Sequence, residues 1–525
     1  MRSSIGTSLQ VLVLAVKPGH DGSVAAIEDG RLLYSIEGEK DSNRRYGSAD
    51  PMTVLEIAEH LGAVPDVLGV SGWARFGMAG RIGEGYAGPH GARRRESKLF
   101  GKRITVFTDS HERSHILGAI GMAPERRPGP HAVLVWEGII GSFYVVDDSW
   151  AVTKAIPVME RPGNRYAQLF EIADPSVPAG SPQARYESAG KLMALAAFGD
   201  PASPAAKQSV ELLLTGTSRQ KGGYRDAPVF DAGVEAQVTK DAAALLTDRM
   251  FEIFAQAARE HIPAGLPLYI GGGCGLNCEW NARWRELGHF SSVFVPPCPN
   301  DAGSAIGTAI DALAELTGEP HIEWSVYSGL EFEEDAEPDP ARWEAVPMRE
   351  SDVAAALAEG RVFAWVQGRW EIGPRALGNR SLLADPRDPR MKDRLNQIKQ
   401  REDYRPIAPC CRLEDVTKAF VEDFEDPYML YFNKVRTDAL PAITHVDGSA
   451  RVQTVSARTN APLHRLLTAF AEHHGIGVLC NTSLNFKGHG FINRMSDLVR
   501  YCEQRGVDDM VVGTTWYRPR ERRRV

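Results

Sequence analysis

The chain has 525 residues, 43% hydrophobic and 24% charged, with a formal net charge of −8. That length predicts two or more domains with large cores, and the acidic balance argues against a general nucleic-acid binder. No stretch offers the roughly 18 apolar residues of a membrane helix, residues 1–8 lack the apolar core of a signal peptide, and seven cysteines, an odd number, do not read as a disulfide framework. A soluble, cytoplasmic protein is the expectation.

In chain order, LQVLVLAV at 9–16 predicts a buried strand and KPGHDGS at 17–23 a turn. VAAIEDGRLLYSIEGE at 24–39 then reads as two strands joined at Asp29–Gly30. A strand, a polar loop and a hairpin are how an actin-like ATPase lobe begins, with the loop turned toward a nucleotide. His20 lies in that loop, with Asp21 beside it, and its ordinary pKa range suits a base that takes a proton from an alcohol. TDSHERSHILGAIGMA at 108–123 reads as a helix capped by Asp109 or Ser110. It sets His111 and His115 one turn apart on one face. Glu137 follows the strand AVLVWEG and Asp301 opens the PNDAGS loop. Two imidazoles and two carboxylates suit a divalent transition metal with open positions.

ESAGKLMALAAFGDP at 187–201 reads as a helix entered through Gly190, with Glu187 and Lys191 within reach of a site. A second lobe repeats the grammar of the first. LPLYI at 266–270 is a strand, Gly271, Gly272 and Gly273 a phosphate-sized turn, and 275–287 a helix with Asn277 near its start. SSVFVPP at 291–297 is a strand and 305–316 a helix. Backbone donors at such strand–turn–helix junctions suit an anion. Cys274 and Cys278 find no second Cys/His pair nearby and read as buried free thiols. Residues 319–350 look like an acidic, Pro-containing linker or surface crossing. Beyond it a helix ending at Gly360 and the strand RVFAWVQG start a further domain.

That domain carries four runs in which cations and amides sit in turns: QGRWEIGPRALGNRS, IKQREDYRPIAP, HVDGSARVQ and VLCNTSLNFKG. Arg forks grip phosphate oxygens in pairs and Lys adds a point charge. Arg375, Arg380, Lys399, Arg405, Arg451, Asn481, Ser483 and Asn485 are the candidate phosphate and nucleotide contacts. The basic end RPRERRRV reads as a solvated tail.

These motifs, taken together and in order, resemble the NodU/CmcH carbamoyltransferase family. The resemblance runs from GHDGSVAAIEDGRLLYSIEGEKDS through HERSH, GKLMALAAFGDP, GGGCGLNC, PNDAGSAIG and GPRALGNRSLLADPRDP to CNTSLNFKG. It implies a TsaD-like, actin-type two-lobed α/β body (ASKHA) over 1–345 and a YrdC-like α/β domain over 346–525. It implies ATP and carbamoyl phosphate as co-substrates, Mg2+ with the ATP, and a carbamoyl-adenylate made by Lys399, Arg405, Arg451 and Ser483. His111, His115 and Asp301 would hold a metal, usually iron, and His20 would be the acceptor base. The family commonly has Asp where this chain has Glu137, which puts that ligand in question.

The acceptor implied is a small-molecule alcohol of antibiotic or polyketide type, cephem and macrolide included, with aromatics and arginines around 73–100 and 160–170 lining its pocket. Nucleic acid and membrane are not expected partners, and a homodimer is left open. Two other functions compete: a tRNA threonylcarbamoyl-type enzyme, which the acidic charge disfavours, and a nucleotide-switched actin- or chaperone-like binding protein, which the added cationic domain disfavours.

Overall fold

The computed structural model describes residues 11–73, 85–180 and 186–520. The polar start at 1–8, the first two residues of the expected strand at 9–16, part of the 73–100 region and the last five residues of the basic tail lie outside the described residues.

Two sheets share one strand order. In the first lobe it runs Arg31–Glu37, Ser23–Glu28, Leu12–Lys17, Val67–Ser71, Lys102–Asp109, with Ala92–Leu99 added at the edge. In the second it runs Val152–Pro157, Gly141–Val146, His131–Trp136, Pro267–Gly271, Ser292–Phe294. Each begins with a three-stranded antiparallel meander whose first strand continues into two parallel strands. This duplication is the two-lobed actin-like fold. The first hairpin turns at Asp29 and Gly30, both with positive φ, the conformation a two-residue hairpin turn demands.

The lobes are interleaved. The helix His111–Gly121 leaves the first sheet and packs on the second, while Ser304–Thr317 leaves the second and packs on the first. Where these helices cross, a Cβ on Gly307 would stand 1.9 Å from the Ser114 carbonyl oxygen. Only glycine allows that approach. Arg113 donates to both oxygens of Asp311 at 2.7 Å across the crossing, a bidentate pair buried with the helices.

The C-terminal domain is an eight-stranded mixed sheet running from Trp343–Pro347 through Thr515–Pro519, Asp509–Val512, Phe363–Val366, Arg380–Ala384, Val478–Ser483 and Ala408–Arg412 to Gln453–Val455. Helices Glu350–Ala358 and Ala461–His474 bury Leu357, Leu467 and Phe470 on one face. Arg390–Lys399 and Met495–Arg505 bury Leu395, Ile398 and Leu498 on the other. The expected linker is different from a surface crossing. Ile322 and Val326 are core residues, and Trp343–Pro347 is an edge strand paired with the last strand of the chain, so the 345/346 division falls inside it. That pairing is non-local and leaves no local pattern to read.

The domains are stitched together by side chains that donate to backbone carbonyls across the boundary. Lys40 donates to the carbonyls of Glu371 at 2.5 Å and Gly373 at 2.7 Å. Arg369 donates to Leu33 O at 2.6 Å, and Asn493 to Lys40 O at 3.2 Å. Cys278 and Asn281 reach the carbonyls of Met429 and Leu430. All seven cysteines are free. Among the described residues no helix is long and apolar enough to cross a membrane.

Candidate active site

The helix His111–Gly121 is capped by Ser110, whose hydroxyl accepts from Arg113 N at 3.0 Å. The i, i+4 spacing brings His115 Nε2 to 3.2 Å from His111 Nε2. The end of the strand His131–Trp136 delivers Glu137, with Oε2 at 3.5 Å from His111 Nε2. The loop before Ser304–Thr317 delivers Asp301, with Oδ1 at 3.4 Å from His111 and 3.6 Å from His115. All four ligand atoms lie within 4.8 Å of one another and all four residues are buried. Burial disfavours charge on His111, but Asp301 and Glu137 outweigh it and raise its pKa to about 9. Burial works against the Asp301 carboxylate as well, yet His111 and Lys17 hold it well below the usual range. The set fits a divalent ion: two imidazole nitrogens face each other and two carboxylates close the square. His111 turns Nε2 to the cluster, and its other ring nitrogen, Nδ1, has no hydrogen-bond partner among the described residues.

Glu137 is held by a residue that the sequence reading missed. Tyr86 OH donates to Oε1 and Oε2 at 2.8 and 2.7 Å and its ring stacks on His111 with centroids 4.3 Å apart. Ile140 N adds a bond at 3.1 Å to Oε1. The longer side chain therefore still presents Oε2 to the histidines.

His20 stands at the mouth of the first hairpin. Gly19, at φ +82°, lies under the Trp73 indole, where a Cβ would be 2.3 Å from the ring. The loop is thus seated on Trp73, and the His20 ring meets it edge-on at 4.5 Å. His20 Nδ1 lies 3.4 Å from Asp21 Oδ2 and 3.6 Å from Asp301 Oδ2, close to both acids without a hydrogen bond to either. Asp21 points to the same side as its neighbour because its φ is positive, 48°.

A cavity of about 520 Å³ opens from this cluster. Its walls include His20, Glu137 and Asp301 from the lobes and Arg375, Lys399, Arg405 and Arg451 from the C-terminal domain. His111 and His115 stand behind the two carboxylates, outside the lining. Lys399 donates to Ser483 O at 2.5 Å, Ser483 Oγ at 3.3 Å and the Asn485 side chain. Burial, reinforced by Arg401 and Arg405, pushes its ammonium well below the ordinary value. Burial and then Arg451 lower Arg375 to about 9, and burial and then Arg405 lower Arg401 to about 9. The buried Nε atoms of Arg375 and Arg451 have no hydrogen-bond partner among the described residues. Cations that depress one another and keep free donors suit an anion of several charges.

Of the other expected site residues, Gly273, Asn277, Asn481, Ser483 and Asn485 line this cavity. Asn277 also caps Cys278–Glu286 by accepting from Glu279 N and Trp280 N. Gly271 and Gly272 lie outside the lining and serve close packing, the first against His115 O and the second against Trp136 O. Arg380 is also outside it. Its guanidinium is fully buried and donates to Gln367 O at 2.7 Å, Asn379 O at 2.9 Å and Asn493 Oδ1 at 3.0 Å. Arg165 is likewise spent on the carbonyls of Glu160, Leu213 and Gly216, while Asn164 and Tyr166 reach the cavity. Glu187 and Lys191 line it on the helix Tyr186–Ala196, with Lys191 at 3.2 Å from Glu402 of the C-terminal domain. Arg401, Arg45 and Lys487 line it too and were not foreseen.

A two-lobed actin-like body with an appended cation-lined domain, sharing one cavity, defines the class. The family described as Carbamoyltransferase C-terminus matches residues 354–518, and Carbamoyltransferase N-terminus matches 256–310. The chain is 60% identical over 516 residues to the 3'-hydroxymethylcephem-O-carbamoyltransferase of Streptomyces clavuligerus, covering 97% of this chain and 99% of that one. It is 59% identical to the protein of the same description from Amycolatopsis lactamdurans, covering 97% and 100%. It is 35% identical to nodulation protein U of Rhizobium tropici, covering 94% of each. A solved structure, the activator of the 2-hydroxyisocaproyl-CoA dehydratase from Clostridium difficile, aligns at 12% identity and a TM-score of 0.34 over 59% of this chain and 96% of that one; so slight a likeness carries no argument. The chain belongs to the carbamoyltransferase family and is a transferase enzyme.

Proposed function

We propose that the enzyme is an ATP-dependent O-carbamoyltransferase whose acceptor is the hydroxymethyl group of a cephem. The acceptor is taken from the two relatives that match along nearly their whole length. The observation that carries the mechanism is the single cavity with phosphate-type cations at one end and His20 beside the His/carboxylate cluster at the other.

At the cationic end, carbamoyl phosphate loses its phosphoryl group to water. The freed carbamate oxygen bonds to the α-phosphorus of ATP, and pyrophosphate leaves. Arg375, Lys399, Arg405, Arg451 and Ser483 hold the phosphates and offset their charge, and Mg2+ enters with ATP. The carbamoyl-adenylate then stays in the same cavity, which limits its contact with bulk water. At the lobe end the acceptor oxygen bonds to the carbamoyl carbon, AMP leaves, and His20 accepts the hydroxyl proton. His111, His115, Glu137 and Asp301 would hold a divalent ion, iron among the expected ones, which supplies Lewis-acid polarisation of the carbamoyl oxygen.

The test supplies ATP, carbamoyl phosphate and a 3'-hydroxymethylcephem. Pyrophosphate release should require carbamoyl phosphate, and mass spectrometry should find the carbamate ester of the cephem. A chelator-stripped preparation, verified by elemental analysis and assayed with Mg2+ restored, should keep pyrophosphate release and lose the ester. Pyrophosphate release indifferent to carbamoyl phosphate would point instead to a nucleotide-driven switch, and a carbamate ester on macrolides but not cephems would overturn the acceptor.

A further inference from the structure

Lys17 is a lysine with no exposed surface at all, an uncommon state for a residue whose charge costs several kcal/mol to bury unless it is paired. It closes the first strand, and the mechanism above does not use it. Its ammonium lies 3.2 Å from Asp301 Oδ2, donates to the His20 carbonyl, and sits 3.9 Å over the Trp73 ring. It does not line the cavity, so it does not touch substrate. What it touches are the two groups that the lobe end depends on.

Asp301 divides its oxygens. Oδ1 faces His111 and His115 at 3.4 and 3.6 Å, while Oδ2 faces Lys17 at 3.2 Å. Among the described residues Lys17 is the hydrogen-bond donor to Oδ2, with His20 Nδ1 at 3.6 Å. The same ammonium grips the His20 backbone from inside the loop, where Gly19 and Trp73 seat it from the other side.

We infer that Lys17 is a positioning residue that fixes which oxygen of Asp301 is presented to the histidines and ties the His20 loop to that same carboxylate. This rests on reading the four-residue cluster as a metal site. Charge and geometry make opposite forecasts. As a bare positive charge beside a cation site, Lys17 would weaken metal binding, and its removal would tighten it. As an organiser of a ligand, its removal loosens binding, as loss of outer partners typically does by about 10- to 100-fold.

The experiment compares the full-length parent, Lys17→Met and Lys17→Arg, with His111→Ala as the reference for a broken site. Metal dissociation constants for Fe2+ and Co2+ are measured by chelator competition, alongside pyrophosphate release and ester formation. Lys17→Met should bind either ion about 10- to 100-fold more weakly, form less ester, and release pyrophosphate at the parent rate. Lys17→Arg keeps the charge and offers donors in a different shape, and should bind the ions more tightly than Lys17→Met. Metal-free thermal melts establish that the variants are folded. If Lys17→Met does not fold, Lys17→Arg with weakened metal and lost ester formation would overturn the inference, and its retention of both would support it. Equal or tighter binding by a folded Lys17→Met overturns it as well. If the parent itself binds no better than His111→Ala, the metal reading fails first and takes this inference with it.

Discussion

At the lobe end of the cavity, His111, His115, Glu137, Asp301 and Lys17 set bases against acids at 3.2–3.6 Å, and the groups answer one another's charge. At the C-terminal end, Arg375, Arg401, Arg405, Arg451 and Lys399 mostly face one another, and the acid nearest Arg405 is Glu402 at 3.8 Å. The first end is a compact donor square whose gap suits a single small cation. The second is an excess of cations that suits a polyanion. One space therefore holds two electrostatic compartments, and under the proposed mechanism ATP would shed most of its negative charge as pyrophosphate at one before the adenylate met the acids at the other.

Substitutions at either end should separate the two half-reactions if that contrast is functional. The largest effect is expected from His20→Asn: ester formation should fall by about 10²- to 10⁴-fold while pyrophosphate release is spared. Parent-level ester formation in that variant would make Glu187 the next candidate base. Arg451→Ala and Ser483→Ala should do the reverse, slowing pyrophosphate release by roughly ten- to a hundredfold through loss of a charge-assisted contact, with transfer from supplied carbamoyl-adenylate largely kept. Equal damage to both half-reactions would dissolve the distinction between the ends. Arg375→Met sharpens it thermodynamically. Pyrophosphate at a hundred times its dissociation constant should stabilise the parent by about 2.7 kcal/mol, read as a rise in melting temperature. The variant should melt at or above the parent without ligand and show a smaller rise with it. Tyr86→Phe is the mildest change. It removes the hydroxyl that holds Glu137 while Ile140 N remains on Oε1, and should lower ester formation by less than the changes above.

Much of the lobe end was legible because its geometry is local or follows from strand–loop order. His111 and His115 share a helical face by spacing alone, and Glu137 and Asp301 follow strands whose ends meet in a duplicated fold. Tyr86 left no such trace; it reaches Glu137 from a turn with no periodicity. Lys17 read as part of a polar turn, whereas the strand carries it inside. The C-terminal end was legible in composition and less so in detail. Arg375 and Arg380 lie five residues apart in one Gly-rich run, yet one lines the cavity and the other lies outside it, its Nη1 donating to the carbonyls of Gln367 and Asn379. Side-chain direction in irregular turns has no period to betray it. Trp343–Pro347 was hidden for another reason, since its partner strand is the last in the chain.

The stitches between Lys40, Glu371 and Gly373, and between Arg369 and Leu33, bear on how this enzyme can be recombined. The visible seam near residue 345 is not a free crossover. A chimera joined there would pair one parent's 33–49 segment with another's 369–376 and 489–493 segments, and any mismatch would fall on the donor side chains Lys40, Arg369 and Asn493, since every parent supplies the carbonyls. Inheritance of these contacts is collective: the segments have to travel together, although the chain separates them by more than three hundred positions.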